Sequence, residues 1–281
     1  MSAPCGPIAW GLIASLAAAA LAAGASSAGG GVRAALSPAP APVSYRPVGC
    51  EARGPAVVYR HGPRRKLVAL SFDDGPSPLT QRFVRMLKAN GAVATFFVVG
   101  NQLSARYRGV VREELRDGDA LGDHTWSHPN LIGAGGARGQ IEQTLQAIRA
   151  LSGYTPCVFR PPYGAYDAAV LRLARSLGLA TVTWEVDPSD YALPGVGAIE
   201  RRVLQSVMPG SIVLSHDGGG PRIETLQAYP GIIRALRARG YRFLTVPQLL
   251  GWRSVYRRCR AECEESAIVG RPPAGAIVQR G

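Results

Sequence analysis

The chain has 281 residues, of which 47% are hydrophobic, so it carries enough apolar material to bury the core of a globular domain. Its 32 lysines and arginines outnumber 19 aspartates and glutamates, which gives a formal net charge of +13. Such a surface favours an anionic cell-envelope environment. A nucleic-acid partner is disfavoured because the sequence has no base-stacking or DNA-reading motif.

The N-terminal segment predicts export. Residues 8–23 are uncharged and apolar, and no charged side chain precedes Arg33. A run of about 16 residues fits the hydrophobic region of a signal peptide better than a membrane span of about 20. An uncleaved anchor is the alternative, because no Lys or Arg precedes the apolar run. Residues 1–25 are therefore expected to be a signal peptide or an N-terminal membrane anchor, and the protein to be periplasmic, envelope-bound or secreted.

Composition divides the rest of the chain into three parts. Residues 26–60 are rich in Pro and Ala and predict a linker. Residues 61–252 predict one folded domain, which we expect to be monomeric. Residues 253–281 mix charged residues with a Gly/Pro-rich run and predict a C-terminal extension.

The cysteines suggest a disulfide. Cys5 lies in the predicted signal or anchor, which leaves Cys50, Cys157, Cys259 and Cys263, an even number in an exported chain. Because Cys50 precedes the domain and Cys259 and Cys263 follow it, we expect a bridge from Cys50 to one of those two. Free thiols are the alternative, with Cys157 simply buried. No Cys-x-x-Cys occurs, so a cysteine zinc site is disfavoured.

Between residues 61 and 252, short apolar runs alternate with longer amphipathic stretches. This alternation predicts a parallel sheet, open or closed, with a repeat number that approaches a (β/α)8 barrel. The predicted strands cover residues 66–72, 94–100, 120–125, 157–162, 180–186, 211–216 and 241–246. The predicted helices lie near residues 78–90, 104–117, 138–152, 167–177, 197–207 and 223–239.

Polar clusters follow five of these strands, where the reactive residues of such folds gather. Three of the four histidines lie in them. The clusters are residues 73–76 (DDGP), 123–129 (DHTWSHP), 160–164 (RPPYG), 187–191 (DPSDY) and 215–218 (SHDG).

The residue types in these clusters indicate metal-assisted acid–base chemistry. Adjacent aspartates can point in different directions, so one can bind a metal while the other takes a proton, although an Asp-Gly-Pro turn is the structural alternative. His124 and His128 have His-x-x-x-His spacing, which on one helical turn places both imidazoles on the same side. Two histidines and one carboxylate leave open positions on a metal for water and substrate. His216 is a further possible ligand, but we prefer it as a general acid.

In this order, SFDDGP, HTWSH, RPPYG, DPSDY and LSHD resemble the five motifs of the polysaccharide deacetylases with a NodB homology domain, carbohydrate esterase family 4. The resemblance spans residues 66–250. It implies an α/β fold, a distorted (β/α)7–8 barrel with a groove for a glycan chain. It also implies one divalent metal, usually zinc, with cobalt, nickel or manganese as the other choices.

The resemblance assigns roles to the residues of these motifs. Asp73 would be the general base, positioned by Arg160, and His216 would protonate the leaving amine, with Asp190 tuning its pKa. The substrate and the oxyanion would be bound by the Tyr163 backbone N–H and by Tyr191 and Leu214. The metal ligands would be Asp74, His124 and His128.

Three details depart from the family pattern or stay open. Ser71 stands where the family often has Thr. Tyr191 replaces the usual Trp, which changes the pocket wall near the acetyl group. Both Asp187 and Asp190 are placed to pair with His216, and we prefer Asp190 because it adjoins the aromatic position.

The predicted reaction is removal of N-acetyl groups from amino-sugar units of an extracytoplasmic polysaccharide. N-acetylglucosamine in peptidoglycan is the favoured substrate, followed by chitooligosaccharide. The alternatives are an O-acetyl xylan esterase and a catalytically silent glycan-binding module. An intact Asp73 and His216 argue against the silent module, because binding alone requires neither a base nor an acid.

Overall fold

A computed structural model describes residues 44–55, 57–259, 268–269, 272 and 274–279. These residues do not include the predicted signal or anchor, the predicted linker up to residue 43, Cys5 or Cys263. Among the helices of the described part, none has the length and apolarity needed to cross a membrane.

A seven-stranded parallel sheet forms the centre of the protein, in the order β6-β5-β4-β3-β2-β7, with β8 pairing with the beginning of β2. The predicted strands are confirmed, although several are shorter than their apolar runs. The strands are β2 (Leu67–Gly75), β3 (Ala94–Val98), β4 (Ala120–Asp123), β5 (Val158–Phe159), β6 (Ala180–Thr181), β7 (Ile212–His216) and β8 (Arg242–Phe243).

The chain just after β6 closes this sheet into a distorted barrel. β6 pairs with β5, and Val186 then forms a parallel bridge with Val213 in β7. The N–H of Leu214 donates to the carbonyl of Val186 at 2.9 Å. One short stretch therefore joins the two edges of the sheet, which confirms the predicted α/β barrel.

Helices surround the barrel and follow its strands in alternation. All six predicted helices are confirmed, with ends within a few residues of the expected positions. They are α1 (Thr80–Ala89), α2 (Arg108–Asp117), α3 (Ala137–Ser152), α4 (Ala168–Ser176), α5 (Val196–Ser206) and α6 (Ile223–Ala238), and a short α7 (Val246–Leu249) follows β8.

An aromatic cluster fixes β2 in the core. The Phe72 ring contacts Phe83 of α1, Phe96 of β3 and Tyr229 of α6, at centroid distances of 5.1, 5.5 and 4.8 Å. All four side chains are fully or almost fully buried. Large buried rings contribute strongly to core stability, so the strand that carries Asp73 and Asp74 is held firmly next to its neighbours.

A second sheet forms from segments that precede and follow the barrel in sequence. Its order is β10-β1-β9-β11, from β1 (Ser44–Glu51), β9 (Arg253–Arg258), β10 (Ile268–Val269) and β11 (Ile277–Gln279). The predicted linker over 26–60 therefore contains a strand, and the predicted extension over 253–281 contains three. β1 was not predicted because it contains Pro47 and Gly49, and both residue types are depleted in strands. The register of β1 against β9 shifts between these two residues.

The disulfide joins Cys50 of β1 to Cys157, just before β5. The predicted bridge from Cys50 to Cys259 or Cys263 is wrong, and so is the alternative of a buried Cys157 thiol. β1 crosses the start of β5, where the Cys50 N–H donates to the Thr155 carbonyl at 3.3 Å and the Thr155 N–H donates to the Val48 carbonyl at 3.0 Å. This crossing brings together two cysteines that lie 107 residues apart in sequence.

Candidate active site

The polar clusters meet in one cavity at the carboxyl ends of the barrel strands. The cavity has a volume of about 410 Å³. Because parallel strands end at the same edge, side chains from distant positions converge there. The lining residues are Asp73, Asp74, His124, His128, Pro161, Tyr163, Trp184, Asp187, Tyr191, Leu214 and His216.

Asp74, His124 and His128 form a compact group. The Asp74 Oδ1 atom lies 3.5 Å from His124 Nε2 and 3.3 Å from His128 Nε2. One ligand atom from each residue lies within 4.8 Å of the others. Two imidazole nitrogens and one carboxylate oxygen are a donor set that suits a divalent transition metal.

The surroundings of this group also fit a metal ion. Asp74 Oδ1 is buried and accepts no hydrogen bond from the protein, an arrangement that a bound cation would satisfy. Burial lowers the pKa of His124 to about 3, which keeps its imidazole neutral. Its Nδ1 lies 2.7 Å from the Arg160 carbonyl, so Nδ1–H donates outward and the Nε2 lone pair faces Asp74.

Local hydrogen bonds direct the two histidines without a helix. The Asp123 carboxylate accepts from the Thr125 N–H at 2.9 Å, and the Thr125 hydroxyl accepts from the His128 N–H at 3.0 Å. Thr125 and His128 both adopt a left-handed backbone, with φ of 68° and 60°. The His-x-x-x-His spacing therefore acts through a tight loop after β4 and not through a helical turn.

Asp73 lies beside this group and meets Arg160: its Oδ1 faces the guanidinium, and its Oδ2 lies 3.7 Å from His124 Nε2. The Arg160 guanidinium donates to Asp73 Oδ1 at 2.6 Å and to the Ser71 hydroxyl at 2.8 Å, and it lies 4.0 Å from the centre of the Phe97 ring. Both partners are buried. Burial raises the pKa of Asp73, and the positive charge of Arg160 opposes that rise.

His216 pairs with Asp190 and also lines the cavity. His216 Nδ1 lies 2.7 Å from Asp190 Oδ1, and Asp190 Oδ2 accepts from the His216 N–H and from the Thr225 hydroxyl. Burial by itself lowers the pKa of His216, but the hydrogen bond and charge of Asp190 outweigh it and leave the pKa raised. Asp187 lines the cavity but directs its Oδ1 to the Ser189 N–H.

Two tyrosines line the cavity, Tyr163 beside His128 and Tyr191 beside His216. The Tyr163 ring is 71% exposed and lies 4.7 Å from the His128 ring, and the backbone of Tyr163 is left-handed with φ of 61°. The Tyr191 ring is 52% exposed and lies 5.7 Å from the His216 ring. Leu214 contributes a buried apolar wall between them.

Sequence reasoning missed several residues that shape the site. A Cβ atom at Gly218 would collide with the Asp74 carbonyl, and one at Gly219 would collide with the Asp74 carboxylate. The run of three glycines after Asp217 was the available signal, because glycine permits close backbone approach. Trp184 packs over Gly164 and lines the cavity. Burial raises the pKa of Asp217 to about 7, and its carboxylate accepts a hydrogen bond from Thr80.

Comparisons with known proteins decide the family. The polysaccharide deacetylase family model matches residues 60–182. A peptidoglycan-N-acetylglucosamine deacetylase of Bacillus cereus is 36% identical over 194 residues, which cover 67% of this chain and 90% of the relative. A chitooligosaccharide deacetylase of Sinorhizobium fredii is 38% identical over 206 residues, which cover 68% and 95%.

The chain belongs to the polysaccharide deacetylase family. The family and reaction class that the five motifs predicted are confirmed. This polysaccharide deacetylase is also similar to the crystal structure of a peptidoglycan N-acetylglucosamine deacetylase in complex with an N-oxidanyl-benzamide. The TM-score is 0.66 at 33% identity, and the match covers 69% of this chain and 92% of the other.

A pseudoenzyme of the same carbohydrate esterase family shares the fold. The Bacillus anthracis protein matches this polysaccharide deacetylase with a TM-score of 0.64 at 26% identity, over 70% of each chain. The fold alone therefore does not establish turnover, because catalysis depends on the individual side chains of the cavity.

Proposed function

We propose that the protein removes acetyl groups from N-acetylated amino sugars of an extracytoplasmic polysaccharide. N-acetylglucosamine in peptidoglycan is the first candidate and chitooligosaccharide the second. One observation carries this proposal: a buried carboxylate held by Arg160 and a histidine held by Asp190 line the same cavity as the Asp74–His124–His128 group. A binding module needs neither of these two proton-transfer groups.

Asp74, His124 and His128 would hold the divalent ion, and we propose zinc because the donors are two imidazole nitrogens and one carboxylate. Such an ion polarises a carbonyl and lowers the pKa of water toward neutrality. The protein's contribution is to keep His124 neutral through burial and to aim its Nε2 through the hydrogen bond to the Arg160 carbonyl.

Asp73 would act as the general base. Arg160 occupies its Oδ1 atom, which leaves Oδ2 directed toward the metal ligands, 3.7 Å from His124 Nε2. Burial raises the affinity of this carboxylate for a proton, while the positive charge of Arg160 opposes that rise and favours the ionised form. The carboxylate therefore takes a proton from the attacking water and holds it close to the reaction centre.

The amide oxygen of the substrate needs a hydrogen-bond donor, and its acetyl methyl group needs an apolar wall. We assign the Tyr163 backbone N–H as an oxyanion donor, supported by its place on the cavity rim and its fixed left-handed backbone. Leu214 and Trp184 supply apolar surface for the methyl group. Tyr191, beside His216, contacts the sugar on the other side.

His216 would protonate the leaving amine. The raised pKa that Asp190 gives it favours the protonated ring, and the ring lines the cavity. Without this proton the amine is a poor leaving group. The products are acetate and a free amino sugar.

Acetate release from three substrates, measured side by side with zinc-loaded protein, tests the proposal. Peptidoglycan and chitooligosaccharide should both release acetate, and acetylxylan should be slower. Metal-depleted protein is the control. Faster release from acetylxylan would instead identify an esterase, and no release from any substrate would identify a silent module.

A further inference from the structure

A second cavity, with a volume of about 540 Å³, lies between the small sheet and the chain leading into β5. Thr155, on its wall, precedes β5, whereas the active site lies where the barrel strands end. The two cavities therefore open at opposite ends of the barrel. Arg46, Arg149 and Arg257 line the second cavity together with a single acidic residue, Glu51, so its lining carries a net charge of +2.

Two of these arginines face each other across the small sheet. Arg46 of β1 is the direct partner of Arg257 of β9 in the antiparallel ladder, and both line the cavity. Like charges at directly opposed positions destabilise a strand pair. A negatively charged group between the two guanidinium groups would remove that repulsion.

The described residues do not neutralise these charges. Within the part of the chain that the structure describes, none of the three arginines forms an ion pair with a carboxylate. Arg46 Nε is buried and has no hydrogen-bond acceptor. Arg149 Nε donates to the Thr155 hydroxyl at 3.2 Å, and Arg257 donates to Gln279 Oε1 at 3.5 Å, both neutral acceptors.

The C-terminus of α3 offsets only part of this positive charge. The Arg46 guanidinium lies close to Gly153, at the C-terminal cap of the helix, where it would be 3.6 Å from an added Cβ. The C-terminus of a helix carries a partial charge of about −0.5. This partial negative charge is much smaller than the combined positive charge of the three guanidinium groups.

The walls of the cavity are held in place. The Cys50–Cys157 disulfide and the backbone hydrogen bonds of Thr155 to Val48 and Cys50 join β1 to the barrel. A Cβ at Gly49 would lie 2.7 Å from the Thr155 carbonyl, so the two backbones are in close contact. A site whose walls are fixed before binding loses less entropy when a ligand enters.

We propose that this cavity binds a phosphate group, either free or carried on an anionic polymer. A phosphate monoester carries a charge of about −1.5 to −2 at neutral pH and presents three acceptor oxygens, which suits a lining of net charge +2. Guanidinium groups recognise such oxygens through paired, charge-assisted hydrogen bonds. The volume leaves room for the group that carries the phosphate.

Calorimetric titration of the full chain with inorganic phosphate, at constant ionic strength, tests this site. Arg46→Gln/Arg257→Gln should weaken saturable binding by about tenfold or more, since charge-assisted hydrogen bonds are lost. Arg172→Gln/Arg175→Gln on α4 removes the same charge from outside the cavity and should bind as the wild type does. An equal loss in both double variants, or no saturation in the wild type, would overturn the proposal.

Two further measurements complete the test. Arg257→Glu alone reverses a charge at an exposed position and should also abolish binding if the double variant misfolds. In competition, tighter binding of poly(glycerol phosphate) per phosphate supports a polymer ligand, and tighter binding of inorganic phosphate supports a free ion. Competition by neutral chitooligosaccharide would contradict a phosphate site. None of these readouts depends on deacetylation, so the site and the proposed activity can fail separately.

Discussion

Asp73 and Asp74 are adjacent in sequence but serve different surroundings. Asp73 is almost fully buried and bonded to Arg160, whereas Asp74 adopts a left-handed backbone with φ of 70° and turns toward the two histidines. The change of backbone direction between them separates the two carboxylates. A base and a ligand can therefore come from one strand end.

The first prediction separates these two roles. Asp73→Asn keeps the size and polarity of the side chain but removes the basic carboxylate. Deacetylation should fall by about two to four orders of magnitude, while the bound metal per protein, measured by atomic emission, stays at the wild-type level. Asp74→Asn should lose the metal. If Asp73→Asn loses the metal and Asp74→Asn retains it, the two roles are reversed.

The second prediction concerns pH. Asp190 raises the pKa of His216, and a general acid works only while it is protonated, at pH below its pKa. Asp190→Asn should therefore lower that pKa and move the alkaline limb of the kcat/KM profile to lower pH, with no loss of metal. Asp187→Asn is the matched control and should leave the limb in place, because Asp187 bonds to Ser189. A shift in the control alone would assign the acid's partner to Asp187.

The residues to which we assign the chemistry were predictable because they belong to short contiguous motifs at strand ends. The structure brings Asp74, His124 and His128 together, and it pairs Asp73 with Arg160 and His216 with Asp190. The contributions of Trp184, Gly218 and Gly219 were missed. The run of glycines signals a close backbone approach, but no local pattern encodes which distant residue is approached.

At the scale of elements, the helices of the barrel were easier to predict than the small sheet. A helix repeats its apolar positions within one segment, whereas β1 needs β9, about 200 residues later in the chain, to satisfy its backbone. β1 also contains Pro47 and Gly49, which resemble linker composition. Its strand conformation is thus a tertiary effect.

The third prediction tests how the small sheet is joined to the barrel. The Cys50–Cys157 bridge closes a loop of 107 residues. Chain-entropy arguments give such a crosslink about 3–5 kcal/mol of stabilisation. Cys50→Ala/Cys157→Ala should lower the free energy of unfolding by that amount in urea titrations. Reducing agent should lower it in the wild type and leave the variant little changed; equal stability of wild type and variant would contradict the prediction.

At the scale of the whole molecule, the fourth prediction is export. Residues 8–23 are apolar and uncharged, and we expect them to take the domain out of the cytoplasm. Externally added protease should degrade the full-length protein in cells whose cytoplasmic membrane is intact. Deleting residues 1–25 should protect it, and protection of the full-length chain would contradict export. N-terminal sequencing of the mature protein distinguishes a cleaved signal from an anchor.

The proposed metal ligands and the proposed acid come from different lengths of chain. Asp74, His124 and His128 lie between the end of β2 and the loop after β4, a stretch whose strands β2, β3 and β4 are consecutive in both sequence and sheet, whereas His216 ends β7. Contacts that close shorter loops cost less chain entropy and tend to form earlier in folding. A refolding chain should therefore acquire its affinity for the ion before it acquires turnover. An ion present from the start would hold the first half of the barrel together while the second half docks onto it.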